Sequence, residues 1–281
     1  MEREHASADD KSAPSETVGE LAYRQLRADI LFGRLAPSER LRLDRVSQRY
    51  RTSISTMREL LSRLSSEGLI VAEGQRGFQV APVSADGFRE VAAMRLLLEG
   101  HAIEQSFAAG DLDWEGRVVA AHHKLAVMER RMLGGDRRDP ELWKRCDWEY
   151  HHALISACGS ALLMQTHAAI YDKYLRYQMV AVVFRGEIAA QEHQRLLECA
   201  LARDPGSARD ILVAHVQGCV DHALRDEASA WLCHARHASA GPQALNNSTS
   251  APGLPLGHRT TRAGGRARKA GGTSSQLEWL K

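Results

Sequence analysis

Residues 40–80 read RLRLDRVSQRYRTSISTMRELLSRLSSEGLIVAEGQRGFQV. Leu43, Val46 and Tyr50 are three and four apart, so they share one face of a short helix. Arg51, Thr52 and Ser53 form a polar break, and Ser53 is placed to cap a second helix through a backbone amide two or three residues on. Met57, Leu60, Leu61 and Leu64 supply the buried stripe of that helix, and Gly68 stops it. Leu69 to Ala72 and Phe78 to Val80 then predict two short strands around a turn containing Gly74 and Gly77. Helix, turn, helix and β-wing outline a winged helix-turn-helix, a fold that offers the N-terminal half of its second helix to the DNA major groove.

Charge agrees with this outline. Seven arginines (40, 42, 45, 49, 51, 58 and 63) face only Asp44 and Glu59, a local net of +5 in a chain whose total is +2. Basic residues concentrated on a small element bind phosphate by releasing counterions. Charge alone fits equally a solvated arginine-rich hairpin that touches nothing.

Around this stretch the chain divides into parts. Its 281 residues, 44% hydrophobic and 26% charged, suffice for two domains. No apolar run approaches the ~18 residues of a membrane span and the N-terminus lacks a signal region, so a cytoplasmic protein without membrane contact is expected. Five scattered cysteines (146, 158, 199, 219 and 233), odd in number and without a CxxC, suggest reduced thiols. Residues 1–15 are polar and predicted to be disordered. Thr17 to Phe32 predicts a helix whose Leu21, Leu26, Ile30 and Leu31 cover the base of the winged domain, which spans residues 16–82. Pro82 breaks the wing and Ser84 caps a new helix.

From residue 83 to 228 there is almost no strand signal, and an antiparallel α-helical bundle is expected. Its helices are predicted over Ser84–Ala109, with Phe88, Val91, Met94, Leu98, Ala102 and Ile103 facing inward; from an Asp113 cap to Leu133; from Asp139-Pro140; and over about 160–184, 187–203 and 207–225. Residues 229–281, with seven Lys or Arg against Glu278 alone, read as a disordered basic tail. The fold class is therefore mainly α, a winged helix-turn-helix followed by a helical bundle.

Within the bundle, Asp147 and His151 are four apart on a helix, the spacing of two ligands to one metal. His193 and His215 each lie eleven residues from Asp204, so an antiparallel hairpin brings them level. The alternative is that three of thirteen histidines and one aspartate fall into this pattern by coincidence. Arg95 and Glu99, also four apart, fit a simple ion pair on a helix face.

Family resemblance narrows these choices. ILFGRLAPSERL, SISTMRELLSRLSSEGLI and QRGFQVAPV resemble the N-terminal domain of GntR-family transcription regulators. The resemblance implies DNA contacts by Arg45, Arg51, Ser53, Ser55, Thr56, Arg58, Arg76 and Gly77. The family usually places Arg after the capping Ser or Thr, where this chain has Ile54. One bidentate reading of guanine is thereby lost, about 1–3 kcal/mol of discrimination, and specificity shifts towards Arg58, Ser55, Thr56 and Arg51.

DWEYHHALISACGSALL and EHQRLLECALARDPGSARDILVAHV resemble the FCD-type effector domain of the FadR subfamily. That resemblance implies that Asp147, His151, His193 and His215 hold a divalent ion, zinc or else nickel or another. It also implies that Arg95 binds the carboxylate of an effector. A metal plus an arginine suits a small organic acid with two oxygen-rich ends. ERLRLDRVSQRYRTSISTMREL, EGQRGFQVAPVS and GDLDWEGRVVAAHHKLAVMER are similar to the glutarate-responsive, carbon-starvation-induced repressors of the subfamily, which makes glutarate the expected type of effector. The expected function is a homodimeric repressor, not an enzyme, that reads a short palindromic operator in double-stranded DNA. The alternatives are a metal-dependent hydrolase built on the bundle, disfavoured by the lack of HExxH or a nucleophile motif, and a constitutive DNA-binding protein with structural histidines.

Overall fold

The computed structural model describes residues 17–74, 77–181 and 184–225. The expected disordered ends, Cys233 and Arg76 lie outside them.

Helix α1 (Val18–Leu31) starts where the Thr17 hydroxyl accepts the Glu20 amide at 3.2 Å. Helix α2 (Leu43–Arg49) and helix α3 (Ile54–Ser66) follow. The turn between them passes through Arg51 at φ 54°, and Ser53 Oγ caps α3 by accepting the Thr56 amide at 3.1 Å. Leu26, Ile30, Met57, Leu61 and Leu64 are fully buried together, each burial contributing roughly 1.5–3 kcal/mol. Leu21, expected in that core, is 43% exposed. It sits one position off the stripe that Ala22, Leu26 and Ile30 actually form.

The wing has three strands rather than the expected two. Strand β1 (Arg40–Leu41) and strand β2 (Ile70–Ala72) flank β3 (Phe78–Val80), both antiparallel, with Leu41 opposite Phe78 and Val71 opposite Gln79. Asp29 of α1 ties the unit together: its carboxylate accepts Tyr50 Oη at 2.6 Å, Arg49 Nη2 at 2.7 Å and Arg34 Nε at 2.5 Å.

Six further helices form the bundle: α4 (Ala85–Ala109), α5 (Leu112–Leu133), α6 (Pro140–Ile155), α7 (Ala161–Val180), α8 (Glu187–Ala202) and α9 (Pro205–Arg225). The cap of α5 is Asp111, not the expected Asp113: Asp111 Oδ1 accepts the Trp114 amide at 2.8 Å, which lets Leu112 begin the helix. Helix α7 stops at Val180 instead of running to 184, and α9 starts at Pro205, the proline taking the first helical turn where no amide is needed. Trp114, Tyr150, Leu154, Tyr174, Leu196 and Val216 fill the core.

Helix α4 departs most from its expected face. Its core stripe is Phe88, Ala92, Arg95, Glu99, Ala102, Ile103 and Ser106, while Met94 is exposed and Val91 half-buried. Two charged residues thus occupy the centre of the bundle. Among the described residues no helix is long and apolar enough to cross a membrane.

Candidate metal centre and DNA-binding face

Asp147, His151, His193 and His215 converge. Helix α6 contributes the first two from one face, and the α8–α9 hairpin brings the other two level. Arg203 in the left-handed region ends α8, and Asp204 begins α9 by accepting the Ser207 amide at 3.0 Å. Each of the four offers a ligand atom, and these atoms lie within 4.8 Å of one another. Ring centroids of His193 and His215 are 4.6 Å apart, and those of His151 and His215 5.3 Å. All four residues are at most 2% exposed.

The surroundings orient these donors. Glu99 Oε1 bonds His151 Nδ1, Glu129 Oε1 bonds His193 Nδ1 at 2.7 Å, and Glu192 Oε2 bonds His215 Nδ1 at 2.8 Å. A proton fixed on Nδ1 leaves the Nε2 lone pair free, as metal-ligating histidines require. Nε2 of His151 and of His193 is buried with no hydrogen-bond partner, an arrangement that a cation bound among the rings would satisfy. Asp147 Oδ2 accepts Tyr171 Oη at 2.6 Å and stands 3.5 Å from Lys144 Nζ, while Oδ1 lies 3.4 Å from His193 Nε2.

Protonation favours ligation. Burial, with the neighbouring His193, His151 and Arg95, lowers the His215 pKa to about 3 against the pull of Glu192. His151 is lowered chiefly by burial, despite Glu99. Burial raises the Asp147 carboxyl, but Lys144 and the three histidines outweigh it and hold the group ionised. Neutral imidazoles and an ionised carboxylate are the forms that bind a divalent ion.

Arg95 is fully buried between the rings of Tyr171 and Tyr174, its guanidinium carbon 4.6 Å from each centroid. Nε donates to Glu99 Oε2 at 2.8 Å, and Nη1 and Nη2 have no hydrogen-bond partner. Glu99 was expected to be a helix-face ion pair. It makes that pair with Arg95, buried at the centre of the bundle, and in addition takes His151 and His167, the last at 3.3 Å. His152 points away and stacks on Trp148 at 4.7 Å. Sequence reasoning passed over Glu129, Glu192, Lys144, Tyr171 and His167. Lys144, three residues before Asp147, and His167 and Tyr171, four apart on one face of α7, carried a spacing signal.

The DNA-binding candidates sit on the winged unit. Arg45, Arg51, Ser53, Ser55 and Arg58 are exposed and Thr56 is half-buried. Ser53 Oγ also lies 2.8 Å from Ser55 Oγ and 2.9 Å from Thr56 Oγ1, so three hydroxyls cluster at the start of α3. Gly77 has φ 92°, which accounts for a glycine in the wing turn. Ile54 is 52% exposed on the same helix start.

Comparison with known proteins agrees with this architecture. Residues 19–80 match the family "Bacterial regulatory proteins, gntR family" and residues 90–218 match the FCD domain family. The uncharacterized HTH-type transcriptional regulator BphR of Paraburkholderia xenovorans is 36% identical over 207 residues, 72% of this chain and 83% of that protein. The HTH-type transcriptional repressor GlaR of Escherichia coli is 28% identical over 69% of this chain and 90% of its own length. Among solved structures, E. coli McbR/YncC covers 75% of this chain and 98% of its own with TM-score 0.61 at 17% identity. A GntR regulator from Rhodococcus sp. RHA1 covers 73% and 97% with TM-score 0.61 at 20% identity. These two likenesses establish the fold.

Proposed function

The chain belongs to the GntR family of bacterial regulatory proteins that carry an FCD domain, and from that premise we propose a homodimeric repressor. Its operator affinity is set by a small dicarboxylate, of which glutarate is the type, held between a divalent ion and Arg95. The observation that carries this reading is the pair of orphaned donors beside orphaned acceptors. Arg95 Nη1 and Nη2, fully buried, lack partners, as do Nε2 of His151 and His193. A guanidinium presents a bidentate fork to a carboxylate, and an ion on the histidines attracts a second one. The donor set of three imidazoles and a carboxylate suits zinc or nickel.

The ion supplies a fixed positive charge to which an anionic oxygen binds. The protein's own residues do the rest. Glu99 holds Arg95 and His151 in one frame, the rings of Tyr171 and Tyr174 shield the guanidinium from water, and Tyr171 fixes Asp147. On the DNA side, Arg58, Ser55 and Thr56 read bases in the major groove. Arg51 joins them in base reading, Arg45 and the wing's Arg76 and Gly77 hold phosphates, and Ser53 caps α3. A two-fold dimer would read half-sites about 34 Å apart in a short palindrome.

Thermal shift of the full chain against short dicarboxylates and hydroxy acids, before and after chelation, tests this. A rise with one acid that vanishes on chelation and in Arg95→Gln is expected. A rise that survives both refutes the assignment. Sedimentation of the full chain checks the dimer.

A further inference from the structure

Helix α7 has two working faces. His167, Tyr171 and Tyr174 are buried against Glu99, Asp147 and Arg95, and Asp172, Lys173 and Arg176 face the DNA-binding unit. Tyr171 and Asp172 are consecutive, so one helical turn carries both a bond to a metal-site carboxylate and a bond out of the bundle. Outward, Asp172 Oδ2 accepts Arg27 Nη2 of α1. The same guanidinium gives Nε to Glu67 Oε2 at 3.1 Å, and Glu67 is the C-terminal cap of α3, also held by Tyr23 Oη. A Cβ on Gly68, the next residue, would sit 3.4 Å from Lys173 Nζ, so the end of α3 lies directly against α7. Inward, Tyr171 Oη bonds Asp147 Oδ2 at 2.6 Å. Arg27 and Asp172 also line one crevice with Lys144, whose ammonium stands 3.5 Å from the same Oδ2. One chain of contacts therefore joins a carboxylate oxygen of Asp147 to the C-terminal end of α3, and the second cation on that oxygen, Lys144, opens onto the crevice that Arg27 and Asp172 share.

We propose that Arg27 is a positioning residue for α3, bridging Asp172 and Glu67 so that the state of the metal pocket is transmitted to the recognition helix. A ligand shifts an equilibrium only by its differential affinity for two arrangements. Asp147, if it held an ion, would be fixed in one orientation, and the Tyr171 phenol bonded to it and the turn of α7 that bears Asp172 would be fixed with it. The Arg27 fork, split between two carboxylates on two units, converts that adjustment into a change in how α3 is anchored.

The inference depends on the metal reading above, and the experiment separates the two. Hydrogen exchange of the full chain is measured after chelation and again after adding zinc. Wild type is expected to gain protection around residues 147–151 and 193, and to change exchange across 54–72 by about fivefold or more, the low end of ordinary allosteric coupling. Asp172→Asn should keep the first response and lose the second. Arg27→Gln should do the same, and Asp172→Glu, which keeps the charge, should retain both. No protection at the metal residues refutes the metal reading and the transmission with it. Protection there with 54–72 unmoved in wild type, or moved equally in Asp172→Asn, overturns the transmission alone.

Discussion

Replacing Glu129 by Gln isolates the effect of orienting one ligand. Glu129 touches no metal atom. It is 4% exposed on α5 and accepts the Nδ1 proton of His193 at 2.7 Å. Glutamine conserves volume and can still offer an oxygen, but it removes the charge and allows the amide to turn its NH2 towards the ring. Loss of such an outer carboxylate typically costs 10–100-fold in metal affinity, or about 1.4–2.7 kcal/mol. With zinc at a fixed excess, that loss reduces the zinc-dependent stabilisation by the same amount, roughly 3–10 °C in melting temperature for a domain of this size. Competition against a chromophoric chelator gives the affinity directly, and paired melts with and without chelator separate the metal-linked part. Unchanged zinc affinity, or an equal loss of melting temperature in both melts, would refute the assignment of His193 as a ligand oriented by Glu129.

Three further outcomes follow from the geometry. Arg58→Ala removes an exposed side chain from α3 and should abolish specific operator binding at constant salt while far-UV circular dichroism stays unchanged; retained affinity would remove Arg58 from the reading face. Asp29→Asn should destabilise the winged unit by about 2 kcal/mol at neutral pH. Burial raises the Asp29 carboxyl, but Tyr50, Arg34 and Arg49 outweigh it and hold the pKa below the ordinary 3.8. Its contribution is therefore present in full above that value and is lost as pH falls through the lower folded pKa, so the wild-type and variant melting temperatures should converge in acid. Gly218→Ala places a Cβ 2.7 Å from Arg185 Cζ. Arg185 must then leave its paired bonds to Glu192, the carboxylate behind His215. Zinc affinity should fall while the helix, which prefers Ala, stays intact, and titration calorimetry distinguishes the two.

The parts of this structure legible in the sequence are those with a local period or a local stop. Met57, Leu60, Leu61 and Leu64 mark α3, Ser53 and Gly68 mark its ends, and Asp139-Pro140 opens α6. The grouping of Asp147, His151, His193 and His215 was readable because two of them share a helix face and the other two straddle one hairpin. What escaped depends on long-range contact. Glu99 lies 52 residues from His151 and Glu129 lies 64 from His193, separations at which spacing carries no information. The inner face of α4 escaped for a different reason: a hydropathy stripe cannot nominate Arg95 and Glu99 as core residues, so it drew Val91 and Met94 in their place. Strand β1, two residues long, is too short for any alternation to show.

Glu99 also bears on how such a regulator can diverge. One carboxylate bonds the Arg95 guanidinium and the His151 imidazole together, so a substitution there disturbs both at once. A substitution at His167, whose Nδ1 is buried without a hydrogen-bond partner, removes a single contact of that carboxylate instead. Change at the centre of this cluster is thus coupled, and change at its edge is not.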